Sequence, residues 1–199
     1  MMTLLERLRY ETQPLHRQTE TLFYTDDLQN GSLSTDQYTH LLYTHLHFHQ
    51  GLEAAIDRYP DFFQDYNPDT RRKTAWLLSD LDYLNVPILP AKSDLFREWS
   101  PASLLGAAYV GEGSMLGGTV IWKWLQNNMA IEPLLTHARF FQGYGPATGA
   151  SWKQFGAFLT SAGANHADDV VAGAKQAFIN YQTLFRSLSG VRLPSHCRA

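Results

Sequence analysis

His16 and Glu20 stand four residues apart near the start of the chain. On a helix that spacing makes their side chains neighbours. A histidine that binds a metal such as iron through one ring nitrogen presents an N–H at the other. A carboxylate one turn away can accept that N–H, which fixes the ring and tunes its basicity as a ligand. Arg9 lies two turns before His16 on about the same face, where it could meet a carboxylate of a ligand held there. The same His–Glu spacing is also common on solvated helices, as a plain surface contact. A second group, His40, His45, His47 and His49, contains two histidines four apart that could share a metal. No Glu-x-x-His repeat accompanies it, so a di-iron bundle centre has little support. These four read as histidines of the core edge or the surface. Tyr38, Phe48, Phe62 and Phe63 read as packing residues.

The run Gly111-Glu112-Gly113-Ser114-Met115-Leu116-Gly117-Gly118 sits inside a helical pattern. Each interior glycine costs roughly 1 kcal/mol relative to alanine, so four cost about 3–4 kcal/mol. That is a large part of a folding free energy. Gly113 and Gly117 share one helix face, with Gly118 at its border. Two readings account for them. Another helix packs closely against that face, or a flat or bulky ligand lies on it. Glycine spacing does not separate the two.

The elements that must carry these residues are helices. Apolar residues recur at helical spacing almost throughout, and no hairpin signal is present. Thr3 to Phe23 forms the first helix, with Pro14 predicting a kink or restart just before His16. Asn30-Gly31 is a turn. Ser34 with Gln37 is a capping box opening a helix to about Arg58. Asp69 is expected to cap a helix from Thr70 to Leu84, and Ser93 a short one to Trp99. Ser100-Pro101 starts the long glycine-bearing helix, which reaches about Asn128. Pro133 opens a short helix to about Phe141, and a further helix covers Gly149 to Ser161. The last starts near Asn165, carries Asp168 and Asp169 in its first turn, and ends near Leu188. One all-α domain over residues 1–188 follows, with 189–199 as a frayed tail.

The 199 residues are 44% hydrophobic and 18% charged, a balance that excludes disorder. A chain of this size buries about 70% of its unfolded surface and needs no metal or disulfide staple. The net charge of -3 offers no broad basic field for nucleic acid. The single cysteine, Cys197, excludes an internal disulfide and suits a reducing, cytoplasmic compartment. Residues 1–10 carry Glu6, Arg7 and Arg9 and do not read as a signal peptide. Leu104 to Trp122 is long enough to span a bilayer, but Glu112 lies near its middle, so it reads as a buried helix and not a membrane segment.

Three stretches resemble a known family. Leu8-Arg9-Tyr10-Glu11-Thr12 through Leu15-His16-Arg17-Gln18-Thr19-Glu20 resembles the proximal helix of the heme oxygenases. Tyr109-Val110-Gly111-Glu112-Gly113-Ser114-Met115-Leu116-Gly117-Gly118 resembles their glycine-rich distal helix in its bacterial, biliverdin-producing form. Ala174-Lys175-Gln176-Ala177-Phe178-Ile179-Asn180-Tyr181-Gln182-Thr183-Leu184-Phe185 resembles their last helix. The three lie in family order across nearly the whole chain. The resemblance implies a multi-helical bundle with heme, at once substrate and cofactor, between the first helix and the glycine helix. It implies His16 as the iron ligand and Glu20 as the partner behind it. It implies that Gly113, Ser114, Gly117 and Gly118 form the catalytic distal wall, with Arg9 and Lys153 near the heme propionates and Phe178 on the pocket wall.

The implied reaction uses O2 and electrons to hydroxylate a meso carbon of the heme, releasing biliverdin, CO and ferrous iron. Electrons would come from a ferredoxin, a flavodoxin or a flavin reductase, and a biliverdin-binding phytochrome is a possible recipient of the product. Ser114 stands where family members often carry Asp, and Ala157 near a propionate-binding Arg of the animal enzymes. Two other readings stay open: a heme-binding carrier or sensor on the same fold, and a relative with a non-heme site built on the histidine cluster.

Overall fold

A computed structural model describes residues 2–90 and 94–189. Helix α1, Leu4–Leu22, opens on a capping box in which Thr3 and Glu6 satisfy each other's backbone N–H. It runs through Pro14 without a restart. Pro14 and Tyr10 are both exposed, so the carbonyl that loses its helical donor faces water. Tyr24 in the left-handed region turns the chain into the short α2, Thr25–Asn30, which ends on Gly31 at φ 66°. Helix α3, Thr35–Ile56, begins at the expected Ser34–Gln37 capping box. Helices α5, Pro101–Gln126, α6, Thr148–Ala162, and α7, Ala167–Leu188, lie within a few residues of their expected bounds.

Two expectations fail for a tertiary reason. Asp69 caps nothing; residues Pro68–Arg71 form a 3-10 turn, and α4, Thr74–Tyr83, starts four residues later than predicted. The Glu53 carboxylate of α3 accepts the backbone N–H groups of Lys73 (2.6 Å) and Thr74 (3.1 Å), a cap supplied from 20 residues away. The stretch after Pro133 is two 3-10 turns, Glu132–Thr136 and Phe140–Gln142, rather than one helix. Asp80 on α4 accepts the N–H groups of Arg139 (2.7 Å) and Phe140 (2.9 Å) and so takes the donors that a continuing helix would use. Ser93, Cys197 and the tail from residue 190 lie outside the described residues. Among the described residues there is no strand, and no helix is long and apolar enough to cross a membrane.

Helix α7 is the spine of the bundle. It packs along both α1 and α5, while α3 and α6 close the sides. The α5–α7 crossing is made by glycine. A Cβ on Gly106 would overlap the Val170 carbonyl, and one on Gly173 would overlap the Ser103 carbonyl. The obstructing atoms are backbone and cannot step aside. Gly106→Ala or Gly173→Ala is therefore expected to destabilise by about 2 kcal/mol despite alanine's better helix propensity, because overpacking costs about 1–3 kcal/mol or more. Thermal unfolding checks this as a Tm fall of about 4–8 °C for a chain of this size.

Candidate active site

Beyond that crossing, α5 leaves α7 and presents a bare stripe. A Cβ built on Gly113 or on Gly117 meets nothing within 4 Å. Leu116 and Val120, at 39% and 47% exposure, lie on the same stripe at helical spacing. Gly118 borders it, 3.6 Å from the Phe141 carbonyl if a Cβ is added. The glycines thus divide by role. Gly106 and Gly173 serve helix packing, whereas Gly113 and Gly117 face open space and an apolar rim. The packing reading holds for Gly106 and Gly173, while no neighbouring helix occupies the face of Gly113 and Gly117.

His16 projects from α1, which packs against α7. Its Nδ1 is 3.3 Å from Glu20 Oε2, and its side chain is half exposed. An Nδ1–H held by the carboxylate leaves the Nε2 lone pair for a ligand. Phe178 of α7 meets the ring edge-on at 5.7 Å. Tyr181, three residues further along α7, neighbours the Ser114 side chain, and its hydroxyl is a hydrogen-bond partner of His45 Nδ1. One turn of α7 therefore touches both His16 and the residue beside Gly113. Gln182 ties α1 to α7 at this level, donating to the Leu15 carbonyl (3.3 Å) and Thr19 Oγ1 (3.1 Å). Arg9 and Lys153 are both exposed. Tyr109 links their two helices: it neighbours Arg9 and Thr12 on α1, and its ring lies 5.9 Å from that of Trp152 on α6.

With this geometry established, similarity to known proteins decides the family. The heme oxygenase family model matches residues 2–187. The chain belongs to the heme oxygenase family. A heme oxygenase of Xanthomonas campestris pv. campestris (strain 8004) is 30% identical over 165 residues, covering 78% of this chain and 93% of that protein. The fold matches heme oxygenase structures from Neisseria meningitidis (TM-score 0.75, 18% identity, 96% of this chain and 94% of the other) and Leptospira interrogans (TM-score 0.79, 19% identity, 94% and 100%). It also matches heme oxygenase 2 of Chlamydomonas reinhardtii, solved without heme (TM-score 0.73, 18% identity, 97% and 99%). The all-α heme oxygenase-like fold and the enzyme class expected from the sequence both hold.

Sequence reasoning missed what stands behind α5 in this heme oxygenase. Glu112 of α5 is buried at 2% exposure. Arg71 Nη1 donates to its Oε2 at 2.8 Å, and Lys73 Nζ pairs with its Oε1. The Tyr66 and Tyr144 hydroxyls also donate to this carboxylate, at 3.0 Å each. Arg71 spends its other donors on the Tyr66 carbonyl (2.8 Å) and the Ser151 carbonyl (3.2 Å). A signal for this cluster was present in the sequence: a lone acid inside an apolar helix needs a cationic partner, and Arg71 to Lys73 is a basic run.

The histidine cluster needs correction. It is not at the surface or core edge but deep in the interior, with His45, His47 and His49 at most 5% exposed. Thr44 and its neighbours make α3 the most enclosed of the long helices. The rings of His45 and His49 are stacked 6.3 Å apart. Among the described residues no group of three or more His, Cys, Asp or Glu side chains is placed to hold a metal ion. His40 Nε2–H donates to the Phe185 carbonyl and its Nδ1 accepts from the Tyr24 hydroxyl, both at 2.8 Å, so its tautomer is set.

Burial of these rings makes stability depend on pH. Desolvation pushes His45 down to about 3, and holds His49 well below the ordinary value of 6.5. Below about pH 6.5 the unfolded chain takes up protons that the folded chain refuses, so stability is complete above that pH and is lost as pH falls. The slope is about 1.4 kcal/mol per pH unit for each histidine. Asp80, raised by burial to about 6, works in the opposite sense below that pH and makes the slope shallower there. Urea midpoints measured from pH 7.5 to 5 are expected to fall, and less steeply by one proton in His49→Gln.

Proposed function

We propose that this enzyme binds heme as its substrate between α1 and α5 and cleaves it to biliverdin, CO and ferrous iron. The observation that carries this reading is the bare stripe of Gly113 and Gly117, joined through one turn of α7 to a histidine whose Nε2 is left for a ligand. A flat macrocycle needs a wall without side-chain bulk, and iron needs an imidazole with a fixed tautomer; these residues fit both needs. Bound heme, with O2 and electrons, supplies the oxidising chemistry.

The chain's own residues do the rest. His16 holds the iron through Nε2, and Glu20 keeps the proton on Nδ1. Gly113, Gly117 and Gly118 let the α5 backbone approach the ring closely, and Leu116 and Val120 exclude water at its rim. Ser114 places a hydroxyl next to the bare stripe. Phe178 holds the His16 ring edge-on. Arg9 and Lys153, both exposed, offer cations to the two propionates. A ferredoxin, flavodoxin or flavin reductase supplies the electrons, and the cytoplasm is the compartment that suits them.

Hemin added to purified protein is expected to give a histidine-ligated Soret complex. Reductant in air should then bleach that band and raise biliverdin absorption. A protein that gives no complex refutes the reading, and a complex that persists unbleached reduces it to a carrier or sensor.

A further inference from the structure

Residues 138–144 run as a strap between α4 and the glycine-bearing half of α5, and the 3-10 turn Phe140–Gln142 within it packs against both helices. We propose that Asp80 is a positioning residue that latches this strap, and that the latch sets how firmly the bare stripe of α5 holds its ligand and opens in mild acid. The inference rests on the heme oxygenase reading above, in that it takes the ligand of the stripe to be heme.

The latch is built on α4. Asp80 is 3% exposed, and its two oxygens serve two different backbone donors: Oδ1 accepts the Arg139 N–H at 2.7 Å and Oδ2 the Phe140 N–H at 2.9 Å. One turn earlier on α4, the Trp76 ring lies 4.1 Å from the Arg139 guanidinium. Nη1 of that guanidinium donates to the Gly143 carbonyl at 2.6 Å and so holds the far end of the turn.

On its other side the strap meets α5 backbone to backbone. A Cβ added to Gly118 would stand 3.6 Å from the Phe141 carbonyl, and one added to Gly143 would stand 3.5 Å from the Met115 carbonyl. Gly143 has φ at 56°, a conformation that favours glycine. Gly118 borders the bare stripe, and Met115 lies between Gly113 and Gly117 in the sequence. At neither place does a flexible side chain separate the two backbones. A shift of the strap is therefore passed to the part of α5 that faces the ligand.

A carboxylate suits this task because each of its oxygens can accept. Its protonated form carries an O–H on one of them, and one N–H then loses its acceptor. Burial favours the neutral acid, while the Phe140 and Arg139 N–H groups and the Arg139 charge favour the carboxylate; the balance brings Asp80 to about 6. Above that pH two bonds hold the strap, and below it one. The charged or titratable groups facing Asp80 are Arg139 of the strap and Tyr38 of α3, whose hydroxyl is kept protonated by burial and by the Asp80 charge. His137 lies three residues before Phe140, with its ring 4.3 Å from that of Tyr83 on α4, and is the histidine to control for.

Amide exchange in the heme-free protein reads the latch directly. Protection of the Arg139, Phe140 and Gly143 N–H groups, corrected for intrinsic exchange, should fall about 10- to 100-fold from pH 7.5 to 5, the worth of one hydrogen bond to a charged group. Asp80→Asn offers one acceptor oxygen at every pH and should show the low protection throughout, without a step. His137→Gln should keep the step. Arg139→Gln should move it to higher pH, because a charge that favours the carboxylate is gone, and this variant serves if Asp80→Asn folds poorly. In the hemin-loaded protein, transfer of hemin to a scavenger globin should be about tenfold faster in Asp80→Asn than in wild type at pH 7.5, and equal to it at pH 5. A variant that is merely less stable would release hemin faster at both. Strap protection that does not change with pH in wild type, or equal hemin release at pH 7.5, overturns the latch. A wild type that binds no hemin would instead overturn the heme oxygenase reading, and the heme-free exchange measurement keeps the two failures apart.

Discussion

His16→Ala should abolish the histidine-ligated hemin spectrum and reduce biliverdin formation to background while leaving the helical fold intact. The fold is indifferent because the His16 side chain is half exposed and its polar partner, Glu20, lies on the same helix and is itself exposed. Removing it opens no core cavity and strands no buried charge. The ligand-binding loss is large because no other histidine among the described residues projects from α1. Glu20→Gln is the graded counterpart. It keeps a hydrogen-bond acceptor for Nδ1–H but loses the charge, and such partners carry about 10- to 100-fold in metal affinity or activity. Hemin titration of the three proteins orders them wild type, Glu20→Gln, His16→Ala. A His16→Ala protein with an unchanged spectrum would remove His16 from the site.

Glu112→Gln should be the most destabilising single change among the residues discussed, at about 3–5 kcal/mol, the range for breaking a buried ion pair by removing one partner. Glutamine matches the shape and keeps hydrogen-bonding capacity, but it leaves Arg71 and Lys73 as buried cations without their carboxylate. Burial already disfavours the charged form of Lys73, and Glu112 is the largest influence holding it charged. The expected Tm fall is about 10 °C or more. Pairing Glu112→Gln with Lys73→Met should recover part of the loss, because one of the two stranded charges is then gone. The partners of Glu112 are Arg71, Lys73, Tyr66 and Tyr144 rather than residues of the bare stripe or His16, so hemin bound to the folded fraction should keep the wild-type spectrum. A Glu112→Gln protein within 1 kcal/mol of wild type would show that water or Glu53 compensates the cations.

These two residues also show what was legible in the sequence. His16 with Glu20, and Gly113 with Gly117, are pairs four apart on single helices. Helical periodicity alone puts each pair on one face, so their chemistry could be read before any fold was known. Capping was legible for the same reason wherever it is local: Ser34 with Gln37, and Ser100 before Pro101, act within one turn. Glu53 capping α4 and Asp80 stopping the 139–142 turn act across 20 and about 60 residues, and no local spacing announces them.

The sequence by itself determined the all-α class, the long glycine-bearing helix and the family, because these depend on short-range periodicity and on motifs in order along the chain. Only the tertiary structure decided which glycines pack against a helix and which face open space, since that depends on where α7 crosses α5. It also decided that the α3 histidines are interior, that Tyr181 of α7 meets His45, and that Arg71 and Lys73 converge on Glu112 of α5. Each of those contacts joins residues more than 35 positions apart, and burial turns them from ordinary polar side chains into groups that must find a partner.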